Sequence, residues 1–385
     1  MPSLHTVGDH VRDVGEVERT GTVTLILDSV FVRRRGETWL DDIRLELSNG
    51  MTTVVGPMTA GKTTLMRVAA GLLPPDSGRV LVDGKDVTRI SVRKRSVAFV
   101  YQQFINYPSL TVYENIASPL RLDPAFGRAD IDRRVREVAE LMGIAELLGR
   151  RPGELSGGQQ QRTAIARALA RPVDVLLLDE PLANLDFKLR EQLRADLKNM
   201  FAGSSGVVLY STADPNEALT FAAPTVVLGE GRVQHVGDVA DMYAHPPSLA
   251  VAATLSDPPI NLLPGVVRDG RIECMGTSFP APRAHATGRN VMLAVRPHQV
   301  TIARGGHGAL ELPAEIRLAE VTGSETFLHL LLEGGRHLVA HLPGTQLFTP
   351  GESTLAYVDP AHVFVFDETG GRLLATSAAE VDLHG

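Results

Sequence analysis

Only one of the 385 residues is cysteine and one is tryptophan, and aromatic residues make up 5%. A lone thiol, Cys274, cannot close a disulfide within the chain, so the fold rests on apolar cores and a reducing cytosol suits it. Cys274 is expected to act as a small apolar side chain on a strand. No apolar run approaches the roughly 20 residues of a membrane helix. The first residues carry no apolar targeting core either. Any membrane association is therefore expected through a partner. The net charge of −7 leaves no basic field to gather nucleic acid. Lysine is absent from Asn261 onward, where nine arginines stand against thirteen acids for a net of −4. That balance argues against a groove that tracks phosphates. Hydrophobic residues are plentiful at 44%, enough for the two or three domains this length suggests.

The most informative stretch is Gly56-Pro57-Met58-Thr59-Ala60-Gly61-Lys62-Thr63-Thr64. It fits G-x-x-x-x-G-K-[ST], a loop whose backbone N–H groups converge on phosphates. Thr53-Val54-Val55 before it reads as a strand, and Thr64 to Ala70 after it as a helix closed by Gly71. The helix N-terminus adds partial positive charge at the same point. Lys62 is expected to reach the β- and γ-phosphates, and the Thr63 hydroxyl to ligate Mg²⁺.

A second constellation lies further on. Leu155-Ser156-Gly157-Gly158-Gln159 precedes a helix, and Val175-Leu176-Leu177-Leu178-Asp179-Glu180 is an apolar run that ends in two acids. Such a run suits a strand buried on both faces of a parallel sheet. The C-terminal ends of these strands are where ligands bind. Asp179 is placed to hold Mg²⁺ through water, and Glu180 to polarise an attacking water.

Phosphate loop, LSGGQ and Asp-Glu strand, in this order, resemble the ATP-binding subunit of an ATP-binding-cassette (ABC) importer. Within that class the chain is similar to the carbohydrate-uptake ATPases of the maltose, sugar-phosphate and glycerol type. The resemblance runs from about Val23 to the C-terminus. Tyr101-Gln102 with Tyr107-Pro108-Ser109-Leu110-Thr111-Val112-Tyr113-Glu114-Asn115-Ile116 matches the family's Q-loop and the segment after it. Pro181-Leu182-Ala183-Asn184-Leu185-Asp186 matches its D-loop. The resemblance implies that Gln102 contacts Mg²⁺ and the attacking water. It also implies that Ser156, Gly157, Gly158 and Gln159 close over ATP held by a second ATPase subunit. The helical stretch at about 103–152 would meet transmembrane permease subunits, at the cytoplasmic face of the inner membrane.

Two positions depart from the family. In Ser211-Thr212-Ala213-Asp214, Ala213 stands where the family has a histidine that bonds the γ-phosphate. Alanine has no polar group to do so. Near Arg33-Arg34-Arg35 the family stacks adenine on an aromatic ring, and here Phe31 and Trp39 are the nearest rings. Solvated charge and a guanidinium stacked on the base are both open readings. The lesion at Ala213 suits the degenerate half of a heterodimer or a slow homodimer. The rival reading is a subunit that binds ATP for assembly or regulation without turning it over.

The expected fold is an α/β P-loop nucleotide-binding domain over 21–236, with a parallel sheet and antiparallel and helical subdomains. A polar tail over 1–20 precedes it, and a helical linker over 237–260, broken at Pro246-Pro247, follows it. Residues 261–385 read as an all-β OB-like module. Amphipathic helices are expected over Ala129 to Leu148 and Phe187 to Phe201.

Overall fold

The computed structural model describes residues 23–183, 185–201, 203–281, 288–303, 308–369, 371 and 373–376. The tail expected over 1–20 and Asn184 of the Pro181–Asp186 motif lie outside the described residues. The chain divides into two compact units. The first holds residues up to Thr52 and Thr63–Tyr210, and the second holds Thr53–Lys62 and Ser211 onward.

In the first unit, β1 (Thr24–Arg34) and β2 (Glu37–Ser48) form an antiparallel hairpin. Leu40, Ile43, Leu45 and Leu47 of β2 are buried and polar residues fall between them, the alternation of a half-buried strand. β3 (Gly50–Val55) and the helix α1 (Lys62–Ala70) bracket the phosphate-loop motif. β4 (Ser77–Val82) and β5 (Lys85–Asp86) complete a sheet of order β2-β1-β4-β5. β6 (Val97–Val100) pairs in parallel with the later strand at Val175–Asp179.

The helical stretch comes next. α2 (Val112–Ala117) starts at a capping box in which Thr111 and Glu114 satisfy each other's backbone N–H groups. α3 (Arg128–Leu141) stops seven residues short of the expected Leu148. Gly143, at φ 61°, takes the left-handed conformation that ends helices, and a single 3₁₀ turn follows at Ala145–Leu147. α4 (Gly157–Ala170) then leads to β7 (Val175–Asp179), in which every residue is buried. α5 (Phe187–Phe201) and β8 (Val207–Thr212) follow, with β8 beside β7.

In the second unit, Thr53–Val55 of β3 pair in parallel with β9 (Pro224–Gly229), which follows α6 (Pro215–Phe221). β10 (Arg232–Asp238) pairs antiparallel on the far side of β9. The linker is two short helices, α7 (Val239–Ala244) and α8 (Leu249–Thr254), interrupted at Pro246-Pro247 as expected. Val239, Met242, Val251 and Leu255 pack with Val55, Ala218 and Val227 in one core.

The β-module begins with β11 (Asn261–Arg268), β12 (Arg271–Cys274), β13 (Thr277–Pro280) and β14 (Asn290–Val295). It continues through β15 (Val300–Thr301), β16 (Leu310–Val321), β17 (Glu325–Leu332) and β18 (Arg336–Pro343). β19 (Ser353–Val358), β20 (Phe364–Asp367) and β21 (Leu373–Thr376) close it. They make two antiparallel sheets, β13-β12-β11-β14-β20-β21 and β15-β19-β16-β17-β18. One core serves both, including Leu263, Ile272, Phe279, Leu293, Leu312 and Leu330. Cys274 is 2% exposed in that core, and burial pushes its thiol up to about 11, so it is inert packing.

Arg296 fastens the linker to the β-module. Its guanidinium is buried and donates to the Leu255 carbonyl at 3.2 Å and the Tyr243 carbonyl at 2.6 Å. It also stacks 3.5 Å from the Tyr243 ring centroid. Truncation to alanine leaves both carbonyls without their charged donor. Arg296→Ala is expected to lower the stability of the full chain by about 2–3 kcal/mol, read from urea unfolding. An unchanged urea midpoint would show that the clasp contributes nothing.

Candidate nucleotide site

The second unit contains the phosphate loop up to Lys62. Gly56 sits against β9, where a Cβ would fall 2.2 Å from the Leu228 carbonyl oxygen, so only glycine fits. Thr59 and Gly61 have φ of 70° and 101°. These left-handed residues bend the loop so that its N–H groups converge. The Ala60 N–H donates to the Pro57 carbonyl at 3.2 Å, and the Gly231 N–H donates to the Ala60 carbonyl at 3.0 Å. Lys62 is 5% exposed, and its ammonium donates to the Gly56 and Pro57 carbonyls at 2.7 and 3.0 Å. Met58, at the tip, is exposed.

In the first unit the chain goes straight from Lys62 to Thr63, in the first turn of α1. The Thr63 hydroxyl donates to Asp179 Oδ1 at 3.2 Å. Asp179 is 2% exposed at the C-terminal end of β7. The next residue, Glu180, has φ 46°, a left-handed conformation that costs a non-glycine residue roughly 1–2 kcal/mol. The turn sends Glu180 out of the strand's alternation, and its Oε2 accepts from Gln102 Nε2 at 2.9 Å. The first unit thus gathers Thr63, Gln102, Asp179 and Glu180 into one polar cluster. A buried carboxylate beside a hydroxyl is a hard-oxygen donor pair of the kind Mg²⁺ takes, so the residues fit that ion.

Ser156 to Gln159 have a local role of their own. Ser156 caps α4, its hydroxyl accepting from the Gln159 N–H at 3.4 Å while Gln159 Oε1 accepts from the Ser156 N–H at 3.0 Å. Ser156 and Gly157 are exposed. A Cβ on Gly157 would meet nothing within 4 Å.

Ala213 lies between β8 and α6 in the second unit. With Pro57, Asp214 and Asp257 it lines a hollow of about 550 Å³. Asp214 caps α6, and Asn216 Nδ2 donates to Asp257 Oδ2 at 3.4 Å. The Arg33-Arg34-Arg35 cluster is the end of a hairpin. Arg34 donates to Asp76 and to the Pro74 carbonyl, and Arg35 and Gly36 make the turn at φ 52° and 85°. Trp39 is 39% exposed on β2. Sequence reading missed the Arg34–Asp76 pair, which joins residues 42 apart.

Three family models match the chain: ABC transporter over residues 40–183, TOBE domain over 293–366, and CysA C-terminal regulatory domain over 261–302. The sn-glycerol-3-phosphate import ATP-binding protein UgpC of Paracoccus denitrificans (strain Pd 1222) is 35% identical over 353 residues. That match spans 90% of this chain and 98% of the relative. The trehalose/maltose import ATP-binding protein MalK of Thermococcus litoralis is 35% identical over 359 residues, spanning 88% and 95%. A solved structure, the dimeric post-hydrolysis state of the ATP-binding cassette MJ0796 bound to ADP and Pi, aligns with a TM-score of 0.51 and 28% identity. It covers 56% of this chain and 98% of that one.

Fold and site together define an ABC ATPase, carrying a C-terminal OB-like TOBE module. More narrowly, the chain belongs to the family of ATP-binding subunits of ABC importers. Among the described residues no helix is long and apolar enough to cross a membrane.

The Gly56 contact yields a direct test. Gly56→Val must displace either the loop or the Leu228 carbonyl, so ATP affinity is expected to fall by at least tenfold, roughly 1.4 kcal/mol, in calorimetry. Unchanged affinity would mean that the loop does not bind phosphate in this arrangement.

Proposed function

We propose that this chain is the ATP-hydrolysing subunit of an importer for a sugar, polyol or polyol phosphate, and that it works from the cytoplasmic face of the membrane. The observation that carries the catalytic reading is the Gln102–Glu180 pair beside Asp179 and Thr63. The import reading draws on relatives described as importing sn-glycerol-3-phosphate or trehalose and maltose.

In this reading the phosphate-loop N–H groups of residues 56–64 and the Lys62 ammonium receive the β- and γ-phosphates. A phosphate oxygen is a stronger acceptor than the carbonyls that Lys62 meets in the structure. Thr63, Asp179 and Gln102 would hold Mg²⁺. The ion, when bound, neutralises charge on the phosphates. Glu180 accepts the proton of the attacking water, and Gln102 orients its carboxylate. The left-handed backbone at Glu180 keeps that carboxylate clear of the buried strand.

Ser156, Gly157, Gly158 and Gln159 serve the ATP of a second subunit in a head-to-tail dimer. Two features support this. The Ser156 cap is exposed at a helix N-terminus, and Gly157 is free of steric demand from its own chain. A glycine that its own fold does not need fits close approach by something outside it. The permease subunits meet the helical stretch at 103–152.

Ala213 makes the arrangement unequal. This chain's own site lacks one donor to the γ-phosphate, which supports a heterodimer, in which the partner's site turns over faster, over a homodimer slow at both sites. Ser156→Arg is then expected to reduce the ATPase rate of the assembled transporter more than Lys62→Ala. The first change damages the partner's site and the second only the slower one. Steady-state ATPase rates of the two reconstituted variants test this. Equal damage, or brisk turnover by the purified subunit alone, would replace the asymmetric dimer by a homodimer with two working sites.

A further inference from the structure

Thr59 occupies a position that G-x-x-x-x-G-K-[ST] leaves open, so the motif does not dictate its side chain. Its φ is 70°, whereas every other described non-glycine residue with positive φ lies between 46° and 52°. It is also the only β-branched residue among them. A β-branched side chain is poorly suited to left-handed backbone, and glycine would turn the loop there without strain. Strain of this kind persists where a site uses it. Packing does not explain the threonine, because Pro57, Met58 and Thr59 are all exposed. Among the described residues the Thr59 hydroxyl makes one hydrogen bond, to the carbonyl of Met58, its own neighbour in the chain. That bond ties the loop to no other element. The Lys62 ammonium lies against the Gly56 and Pro57 carbonyls, at 2.7 and 3.0 Å. A lysine in this motif reaches the β- and γ-phosphates, so the segment 56–59 is the end of the loop that meets the terminal phosphate.

We propose that the Thr59 hydroxyl reads the terminal phosphate: it donates to a γ-phosphate oxygen when ATP is bound and returns to the Met58 carbonyl when ADP remains. This rests on the nucleotide reading above and adds a side chain that tells the two nucleotides apart. The loop N–H groups cradle the α- and β-phosphates, which ATP and ADP share. The Lys62 ammonium answers charge on the β- and γ-phosphates together. The hydroxyl, in contrast, serves the γ-phosphate alone. A phosphate oxygen carries negative charge and outcompetes a neutral carbonyl for an O–H donor. The exchange needs only a rotation about the Cα–Cβ bond, since the left-handed backbone already holds the side chain at the exposed tip. Once the terminal phosphate has left, the hydroxyl has its carbonyl to return to, and ADP is held by one bond fewer.

The experiment uses the purified full chain and calorimetry with two probes, ADP and the β,γ-imido analogue of ATP, whose terminal phosphate is not hydrolysed. Thr59→Val keeps the branched shape and loses the donor. Thr59→Gly loses the donor and the strain together, and so carries the test if Thr59→Val does not fold. Thr59→Ser keeps the hydroxyl. Thr59→Val and Thr59→Gly are each expected to weaken the analogue about tenfold and to leave ADP affinity within about twofold. Thr59→Ser is expected to retain the wild-type ratio of the two affinities. A threonine that only shapes the loop would affect both nucleotides alike, so parallel losses overturn the proposal. Analogue affinity unchanged in Thr59→Val and Thr59→Gly, or lost as fully in Thr59→Ser, overturns it too. A wild-type chain that binds neither probe overturns the nucleotide reading itself, which is a different result from any change in the ratio.

Discussion

A strand buried on both faces has no room for polar side chains until it ends, and β7 ends in two acids with opposite roles. Asp179 remains 2% exposed and accepts from Thr63, which ties the strand end to the first turn of α1. Glu180 leaves the strand through a left-handed turn and meets Gln102. A strained residue next to a buried carboxylate persists only where its surroundings hold it. Here the five buried residues of β7 and the parallel pairing with β6 do so. The two carboxylates stand at the end of β7 and the hydroxyl in the first turn of α1, while the loop that leaves β6 brings the Gln102 carboxamide to Glu180.

The β-module depends on a different balance. It has no lysine and one inert thiol, and its two antiparallel sheets share one apolar core. Arg296, placed between the Tyr243 ring and the carbonyls of Tyr243 and Leu255, joins it to the linker helices. Burying a guanidinium is costly, which its lowered pKa reflects, and carbonyl acceptors and a ring offset that cost. The CysA C-terminal regulatory domain model matches residues 261–302, the part of the module that contains Arg296.

Much of this was legible in the residues themselves, for physical reasons. The phosphate loop announces itself because two glycines, a lysine and a threonine must stand at fixed spacing. β7 does so because an unbroken apolar run suits only a strand covered on both faces. The capping box that Ser156 and Gln159 form is a finding of the structure, since the motif reads first as a glycine-rich loop before a helix. Other features depend on contacts distant in sequence. Arg34 reads as part of a charge run, yet it pairs with Asp76. No sequence pattern marks Arg167, yet it grips a carbonyl 62 residues away. The amphipathic pattern predicts a helix to Leu148, whereas α3 ends at Leu141 because the backbone turns at Gly143. Composition cannot reveal a left-handed glutamate, so the separation of Asp179 from Glu180 was visible only in the fold.

The most direct measurement is the steady-state ATPase rate of the assembled transporter carrying Glu180→Gln, with the partner's site inactivated in both the variant and the reference and ATP binding measured in parallel. The amide keeps nearly the same shape and its bond to Gln102, but it cannot accept the water's proton. The account predicts that ATP still binds and that turnover at this site falls by roughly 10²–10⁴. Turnover at this site equal to that of the unaltered protein would remove Glu180 from the chemistry and contradict the reading of β7.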